Sequence, residues 1–106
     1  MSKRRGAVIV TGAGSGIGKA AALRLGDERY PVVAVDRDLS GAQRTVAAIH
    51  DTGAPDAIAV PADVTVEQEV AAVVTAALER YGQLHGAVTS AGESKATIWA
   101  RPESSP

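Results

Sequence analysis

Short apolar runs alternate with helical stretches up to residue 92, and this alternation constrains the fold of the chain more than any other feature. The runs are GAVIVT, PVVAVD, DAIAVPADV and LHGAVTS, all rich in Val, Ile or Ala. Such runs are typical of parallel strands that are buried on both faces. The stretches between them, which begin near Ile17, Ser40 and Thr65, show apolar residues at helical spacing. The alternation predicts an α/β fold, a doubly wound parallel sheet of Rossmann type.

Right-handed crossovers fix the strand order of this sheet. The second and third strands step away on one side of the first, and the fourth returns to its other side, which gives the order 3-2-1-4. We therefore expect residues 1–92 to form one Rossmann domain, truncated after about four strands, and residues 93–106 to form a polar tail. In that arrangement the outer edge of the fourth strand is unpaired and the third helix is partly bare. We expect self-association through these two surfaces.

The helix ends carry capping signals. Ser40 with Gln43, and Thr65 with Gln68, have the spacing of capping boxes and predict the starts of the second and third helices. Gly82 predicts the end of the third helix, because glycine is the preferred residue just beyond a helix.

Composition excludes several classes of function. The formal net charge of −1 over 106 residues gives no electrostatic reason to bind nucleic acid or an anionic membrane. The absence of cysteine excludes disulfides and thiolate metal sites, and we expect no metal. The amino terminus lacks the pattern of a signal peptide, and no apolar segment approaches the length of a membrane span. These features predict a soluble, cytoplasmic chain.

A glycine-rich loop, TGAGSGIG, follows the first strand. Its spacing matches neither a mononucleotide P-loop nor the G-x-G-x-x-G dinucleotide loop. Gly12 lets the chain turn off the strand, Gly16 leaves room for a pyrophosphate, and Gly18 allows the helix to pack closely on the sheet. The N–H groups at the start of the helix then favour a phosphate. Taken alone, the loop also fits a turn that merely requires unusual dihedral angles.

Asp36 closes the second strand, where a carboxylate can accept hydrogen bonds from the ribose hydroxyls of a dinucleotide. Its negative charge repels the additional phosphate of NADP, so NAD is the favoured cofactor. Arg37 could receive that phosphate, which keeps NADP as the less favoured alternative. Standing alone, Asp36 would also fit an acidic turn residue.

Four motifs in order make the chain resemble the classical short-chain dehydrogenase/reductase family. They are TGAGSGIG, VDRD, ADV and TSAG, which together extend from the first strand to the end of the fourth. The resemblance implies an NAD(P)-dependent oxidoreductase in which these motifs hold the cofactor. The residues it implies are Gly12, Ser15, Gly16, Ile17, Gly18, Asp36, Arg37, Asp63, Val64, Ala91 and Gly92.

The resemblance also assigns separate roles within this set. Asp63 and Val64 would hold the adenine ring, whereas Ala91 and Gly92 would let the nicotinamide ribose lie against the end of the fourth strand. TSAG stands where the family has Asn-Asn-Ala-Gly, so both asparagine amides are replaced.

Family members carry a catalytic Tyr-x-x-x-Lys pair with an upstream serine beyond the fourth strand. In this sequence, the residues four positions after Tyr30 and Tyr81 are Ala34 and His85, so neither tyrosine has the lysine. The resemblance therefore implies the dinucleotide-binding portion of an oxidoreductase, without catalytic residues and inactive alone. A small non-catalytic nucleotide-binding module and an interaction-only remnant are the alternatives.

Overall fold

The computed structural model describes residues 6–53, 56–90 and 96–100. The chain alternates strands and helices until a final pair of adjacent strands. The elements are β1 (Ala7–Thr11), α1 (Gly16–Asp27), β2 (Val32–Asp36), α2 (Leu39–Asp51), β3 (Ala57–Pro61), α3 (Glu67–Tyr81), β4 (Leu84–Ser90) and β5 (Ala96–Ala100).

The sheet has the order β3-β2-β1-β4-β5, so the predicted order of the first four strands is confirmed. These four strands are parallel, and Val10 of the central strand β1 pairs with Ala34 on one side and Val88 on the other. Alternate residues of the buried strands point to opposite faces of the sheet. One face packs against α1 and α2, and the other packs against α3. The chain is therefore doubly wound, as the alternation of elements predicts.

The expected unpaired outer edge of β4 is wrong, because β5 pairs with it. The pairing is antiparallel and runs from Gly86 opposite Ala100 to Ser90 opposite Ala96. The segment ATIWA combines β-branched and aromatic residues that favour a strand. The polar residues around it suggest a tail and conceal this signal. The expected tail of residues 93–106 thus contains a strand, while residues 93–95 and 101–106 lie outside the described part of the chain.

The start of α2 differs from the predicted cap at Ser40. The helix begins at Leu39, and its N-cap is Asp38, whose carboxylate accepts a hydrogen bond from the Ser40 N–H at 3.1 Å. The aspartate two residues earlier supplies the acceptor expected from the serine, which moves the cap toward the end of β2.

The start of α3 also differs, whereas its end is as predicted. The N-cap is Val66, which makes no side-chain capping bond, and the Thr65 hydroxyl donates to the Asp63 carboxylate instead. At the other end Gly82 has a φ of 82°, a left-handed conformation that favours glycine.

Small residues bring α1 close to its neighbours. Gly18, Ala22 and Gly26 recur every four residues along α1 and are all buried. A Cβ added to Gly26 would lie 2.8 Å from Cγ2 of Ile49, so the two helices touch at this glycine. The first turn of α2 lies beside the loop that follows β1, where a Cβ added to Gly41 would lie 3.2 Å from the Cα of Gly14.

Within the three described ranges, no helix combines the length and the apolar character that a membrane crossing requires.

Candidate functional site

The carboxyl ends of the parallel strands bring the predicted site residues to one edge of the sheet. The glycine-rich loop follows β1, Asp36 is the last residue of β2, and Asp63 lies just beyond β3. In open α/β sheets this edge is where ligands bind. Ala91 and Gly92, which follow β4, lie outside the described residues.

Two glycines shape the loop through backbone conformations that other residues rarely adopt. Gly12 has a φ of 65° and Gly16 a φ of 60°. A Cβ added to Gly16 would meet no heavy atom within 4 Å, so the loop opens onto free space at this point. A Cβ added to Gly18 would overlap the carbonyl oxygen of Gly12 and lie 2.6 Å from its carbonyl carbon. Gly16 therefore borders the open cleft, whereas Gly18 serves packing beneath it.

The first turn of α1 presents backbone N–H groups without a competing side chain. Ser15 is the N-cap in an extended conformation, and its side chain makes no capping hydrogen bond. The first turn contains no acidic residue, so no carboxylate offsets the positive end of the helix dipole. Ser15 is exposed and Ile17 is half-buried. This arrangement suits a phosphate group.

Two backbone donors fix the Asp36 carboxylate beside the loop. Oδ2 accepts the Gly14 N–H at 2.9 Å, and Oδ1 accepts the Asp38 N–H at 2.9 Å. A Cβ on Gly14 would lie 2.8 Å from Oδ2, so a side chain there would displace the carboxylate. Each carboxylate oxygen can accept more than one hydrogen bond. Asp36 can therefore keep these contacts and still accept hydrogen bonds from the hydroxyls of a ligand.

Arg37 and Asp63 face each other across the same edge. The Arg37 Nε lies 4.0 Å from Oδ2 of Asp63, and the Arg37 side chain is 78% exposed. Oδ1 of Asp63 accepts the Thr65 hydroxyl at 2.6 Å and the Thr65 N–H at 2.9 Å. Hydrogen bonds from the Thr65 hydroxyl and then from the Thr65 N–H lower the pKa of Asp63 below its ordinary 3.8, burial opposes them in part, and the Arg37 charge adds the weakest of these effects. Asp63 is therefore charged at neutral pH, with exposed Val64 beside it.

Sequence reasoning missed three residues that support the loop. The buried Thr45 hydroxyl of α2 donates to the Ala13 carbonyl at 2.7 Å. The backbones of Gly14 and Gly41 touch, since a Cβ on Gly14 would lie 3.1 Å from the Cα of Gly41. Gly14 stands at a variable position of the loop motif. The signal for Gly41 and Thr45 is their spacing of four on the buried side of α2, with Ile49 four residues further along the same side.

The chain offers no metal centre in the part that the structure describes, where no three His, Cys, Asp or Glu side chains are grouped as ligands. The structure does gather the loop residues, Asp36, Arg37, Asp63 and Val64 at one edge. The residues present fit a dinucleotide, because they combine an open glycine loop, an uncapped helix start and a fixed carboxylate.

Comparison with known proteins connects this geometry to a family. A sequence model described as short chain dehydrogenase matches residues 6–103. Levodione reductase of Leifsonia aquatica is 42% identical over 87 residues, which are 80% of this chain and 32% of that protein.

Solved structures show the same relationship. A hydroxysteroid dehydrogenase from Escherichia coli superposes with a TM-score of 0.79 and 34% identity, over 84% of this chain and 37% of the other. A short chain dehydrogenase/reductase from Burkholderia phymatum in complex with NAD gives 0.72 and 35%, over 77% of this chain and 29% of the other. The chain thus spans about a third of the length of the relatives it matches.

Gly18→Ala and Gly16→Ala each add one methyl group, and we predict unequal effects. Gly18→Ala lowers the free energy of unfolding more, because its Cβ overlaps backbone that cannot rotate away. Gly16→Ala loses about 1–2 kcal/mol, the cost of a left-handed conformation without overlap. Urea unfolding measures both variants. Gly53→Ala, which has a φ of 76° and open space away from the site, is the matched control for Gly16→Ala. Equal losses at Gly16 and Gly18 would contradict the prediction.

The Asp63 carboxylate is expected to titrate below 3.8, and Thr65→Val is expected to raise its pKa toward that value. The shift follows from loss of the hydroxyl donor to the charged form. Because the folded-state pKa is lowered, the interaction stabilises the fold above the unfolded-state pKa and is lost as pH falls through the folded-state value.

Carboxyl-carbon NMR between about pH 2 and pH 6 measures this titration. Thr52→Val is the control, because the Thr52 hydroxyl donates to the Ile49 carbonyl and not to Asp63. An Asp63 that titrates at 3.8 or above in the unmodified chain would refute the assignment.

Proposed function

This chain belongs to the short chain dehydrogenase family, and we propose that it is the dinucleotide-binding portion of an NAD-dependent oxidoreductase. Its similarity to a protein solved in complex with NAD supports a dinucleotide as the ligand. When bound, the dinucleotide supplies the hydride donor or acceptor, and the residues of this chain hold it in place.

The observation that most directly supports dinucleotide binding is the position of the Asp36 carboxylate, which the Gly14 N–H holds against the glycine loop at 2.9 Å. The loop and the carboxylate can serve two adjacent parts of one ligand. The uncapped start of α1 attracts the pyrophosphate, and Gly16 leaves space for it. Asp36 then accepts hydrogen bonds from the neighbouring ribose. A carboxylate that is already oriented requires little reordering when the ligand arrives.

The charges at this edge favour NAD over NADP. The ribose phosphate of NADP would approach the Asp36 carboxylate and be repelled by it. Arg37, the cation that could receive this phosphate, already faces the charged Asp63 at 4.0 Å. If Arg37 moved to bind the phosphate of NADP, it would lose its contact with Asp63, and this loss disfavours NADP binding.

We also propose that copies of the chain associate through α3, which is one of the two surfaces that the sequence predicts for self-association. The edge of β4 is paired by β5, whereas Val70 and Leu78 of α3 remain 39% and 43% exposed. We therefore place the proposed contact between copies on α3.

We predict that the chain binds NADH more tightly than NADPH and that Asp36→Ala weakens NADH binding about tenfold or more. The loss follows from removal of charged acceptors of the ribose hydroxyls. The same variant should narrow the preference for NADH, because the charge that repels the second phosphate is gone. Titration of each cofactor by reduced-nicotinamide fluorescence measures both effects.

Asp51→Ala is the matched control for Asp36→Ala. It removes the same charge from the last residue of α2, on an exposed position outside the loop. Equal affinity for NADH in the unmodified chain and in Asp36→Ala would rule out the ribose contact. An undetectable affinity of the unmodified chain for either cofactor would rule out the proposed function.

The 106-residue chain by itself is expected to bind NADH without oxidising it. No Tyr-x-x-x-Lys pair occurs in the sequence, and loss of a general acid alone typically lowers rates by about 10²–10⁴-fold. Absorbance of reduced nicotinamide, followed with levodione and with a ketosteroid, measures turnover. Asp36→Ala controls for contaminating enzymes. Turnover by the chain that disappears in Asp36→Ala would contradict this expectation.

A further inference from the structure

We propose that Thr45 positions Asp36 for the dinucleotide by holding the peptide group between Ala13 and Gly14, an inference that rests on the proposed function. The two ends of this peptide group have different partners. Its carbonyl oxygen accepts the Thr45 hydroxyl at 2.7 Å, and its N–H donates to Oδ2 of Asp36 at 2.9 Å. Thr45 and Asp36 therefore hold one peptide plane from opposite sides.

The Thr45 hydroxyl is committed to the loop. The side chain is fully buried, with 0% exposure, so no solvent competes for its proton. Its second acceptor is the Gly41 carbonyl one turn earlier in α2, at 3.2 Å. A hydroxyl has a single proton, and the shorter distance assigns it mainly to Ala13. A threonine in a helix can bond to the carbonyl four residues earlier, whereas this one also reaches across to the loop.

The orientation of this peptide group depends on that bond. The peptide group before it is held separately, because the N–H of Ala13 donates to the Val35 carbonyl at 3.0 Å, two residues beyond the end of β1. The following residue, Gly14, has no side chain to restrict its rotation. Because a trans peptide is planar, fixing its C=O also fixes the direction of its N–H. Without the Thr45 hydroxyl the peptide group is held from the Asp36 side alone and can rotate, which weakens the hydrogen bond from the Gly14 N–H to Asp36.

Thr45→Val tests this proposal because it keeps the shape of the side chain and removes the hydroxyl. The expected result is a loss of NADH affinity of about fivefold to tenfold, since the carboxylate is then still held through the Asp38 N–H but no longer through a fixed Gly14 N–H, and the ligand must complete its ordering. The melting temperature should also fall by about 4–8 °C, because the buried Ala13 carbonyl loses its donor. Thr45→Ser keeps the hydroxyl and should retain NADH affinity within twofold.

Ile49→Val separates positioning from general stability. Ile49 is buried one turn further along α2 and packs against Gly26 of α1, with no hydrogen-bonding group to hold the loop, so its truncation should lower the melting temperature while NADH affinity is unchanged. If Thr45→Val does not fold, Thr45→Ala removes the hydroxyl without placing a methyl group against the carbonyl and takes its place.

A double-mutant cycle with Asp36→Ala provides the decisive measurement. If Thr45 acts through Asp36, Thr45→Val causes no further loss of NADH affinity in the Asp36→Ala background, although the melting temperature still falls. Unchanged NADH affinity in Thr45→Val, or an equal loss in both backgrounds, would overturn the proposal.

Amide hydrogen exchange at Gly14 keeps the proposal distinct from the proposed function. Thr45→Val should accelerate exchange of the Gly14 N–H, and Ile49→Val should accelerate it much less. If the unmodified chain binds no NADH, the proposed function fails, and the positioning of a cofactor fails with it. Unchanged Gly14 exchange in Thr45→Val, with NADH binding intact in the unmodified chain, would overturn the positioning proposal alone.

Discussion

The hydrogen bond from the Gly14 N–H to the Asp36 carboxylate joins the loop after β1 to the end of β2, 22 residues away along the chain. It is possible only because the loop carries a glycine there and because β1 and β2 are adjacent parallel strands. The strand pairing brings the two carboxyl ends to the same edge, and the missing side chain lets the carboxylate approach the backbone. The electrostatic character of the cleft follows, with a fixed negative group beside an uncapped helix start.

The two faces of the sheet place different residues at the edge that carries the glycine loop. On one face, α1 and α2 pack through small buried residues and place Gly41 and Thr45 against the loop. On the other face, α3 follows the Asp63 turn, where Glu69 accepts the Asp63 N–H at 2.8 Å. The face that α1 and α2 cover therefore supports the loop from beneath. The turn that precedes α3 places the side chains of Asp63 and Val64 at the same edge of the sheet.

The sequence predicts what depends on periodicity and local conformation. The strand order follows from alternating apolar runs, and the left-handed Gly82 follows from helix-ending chemistry. The spacing predicts caps at Ser40 and Thr65, but in the structure Asp38 and Asp63, two residues earlier in each case, accept the N–H groups of these residues. When two possible hydrogen-bond acceptors lie only two residues apart, the sequence spacing does not tell which of them accepts the N–H groups at the start of the helix.

Longer-range features escape prediction for a different reason. Thr45 contacts the Ala13 carbonyl across 32 residues, and a threonine in a helix gives no sign of such a partner. The β-branched and aromatic residues of β5 favour a strand, but polar residues surround the segment, and its pairing also requires the available edge of β4. Both contacts depend on tertiary packing, which local propensity does not reveal.

The antiparallel direction of β5 has a practical consequence for chemistry attached to this chain. Ser90 and Ala96 pair at the edge that carries the glycine loop, whereas Gly86 and Ala100 pair toward the opposite edge. β5 therefore ends at Ala100, on the side of the sheet remote from the glycine loop. A dye or a surface tether attached at Ala100 would therefore lie away from that loop.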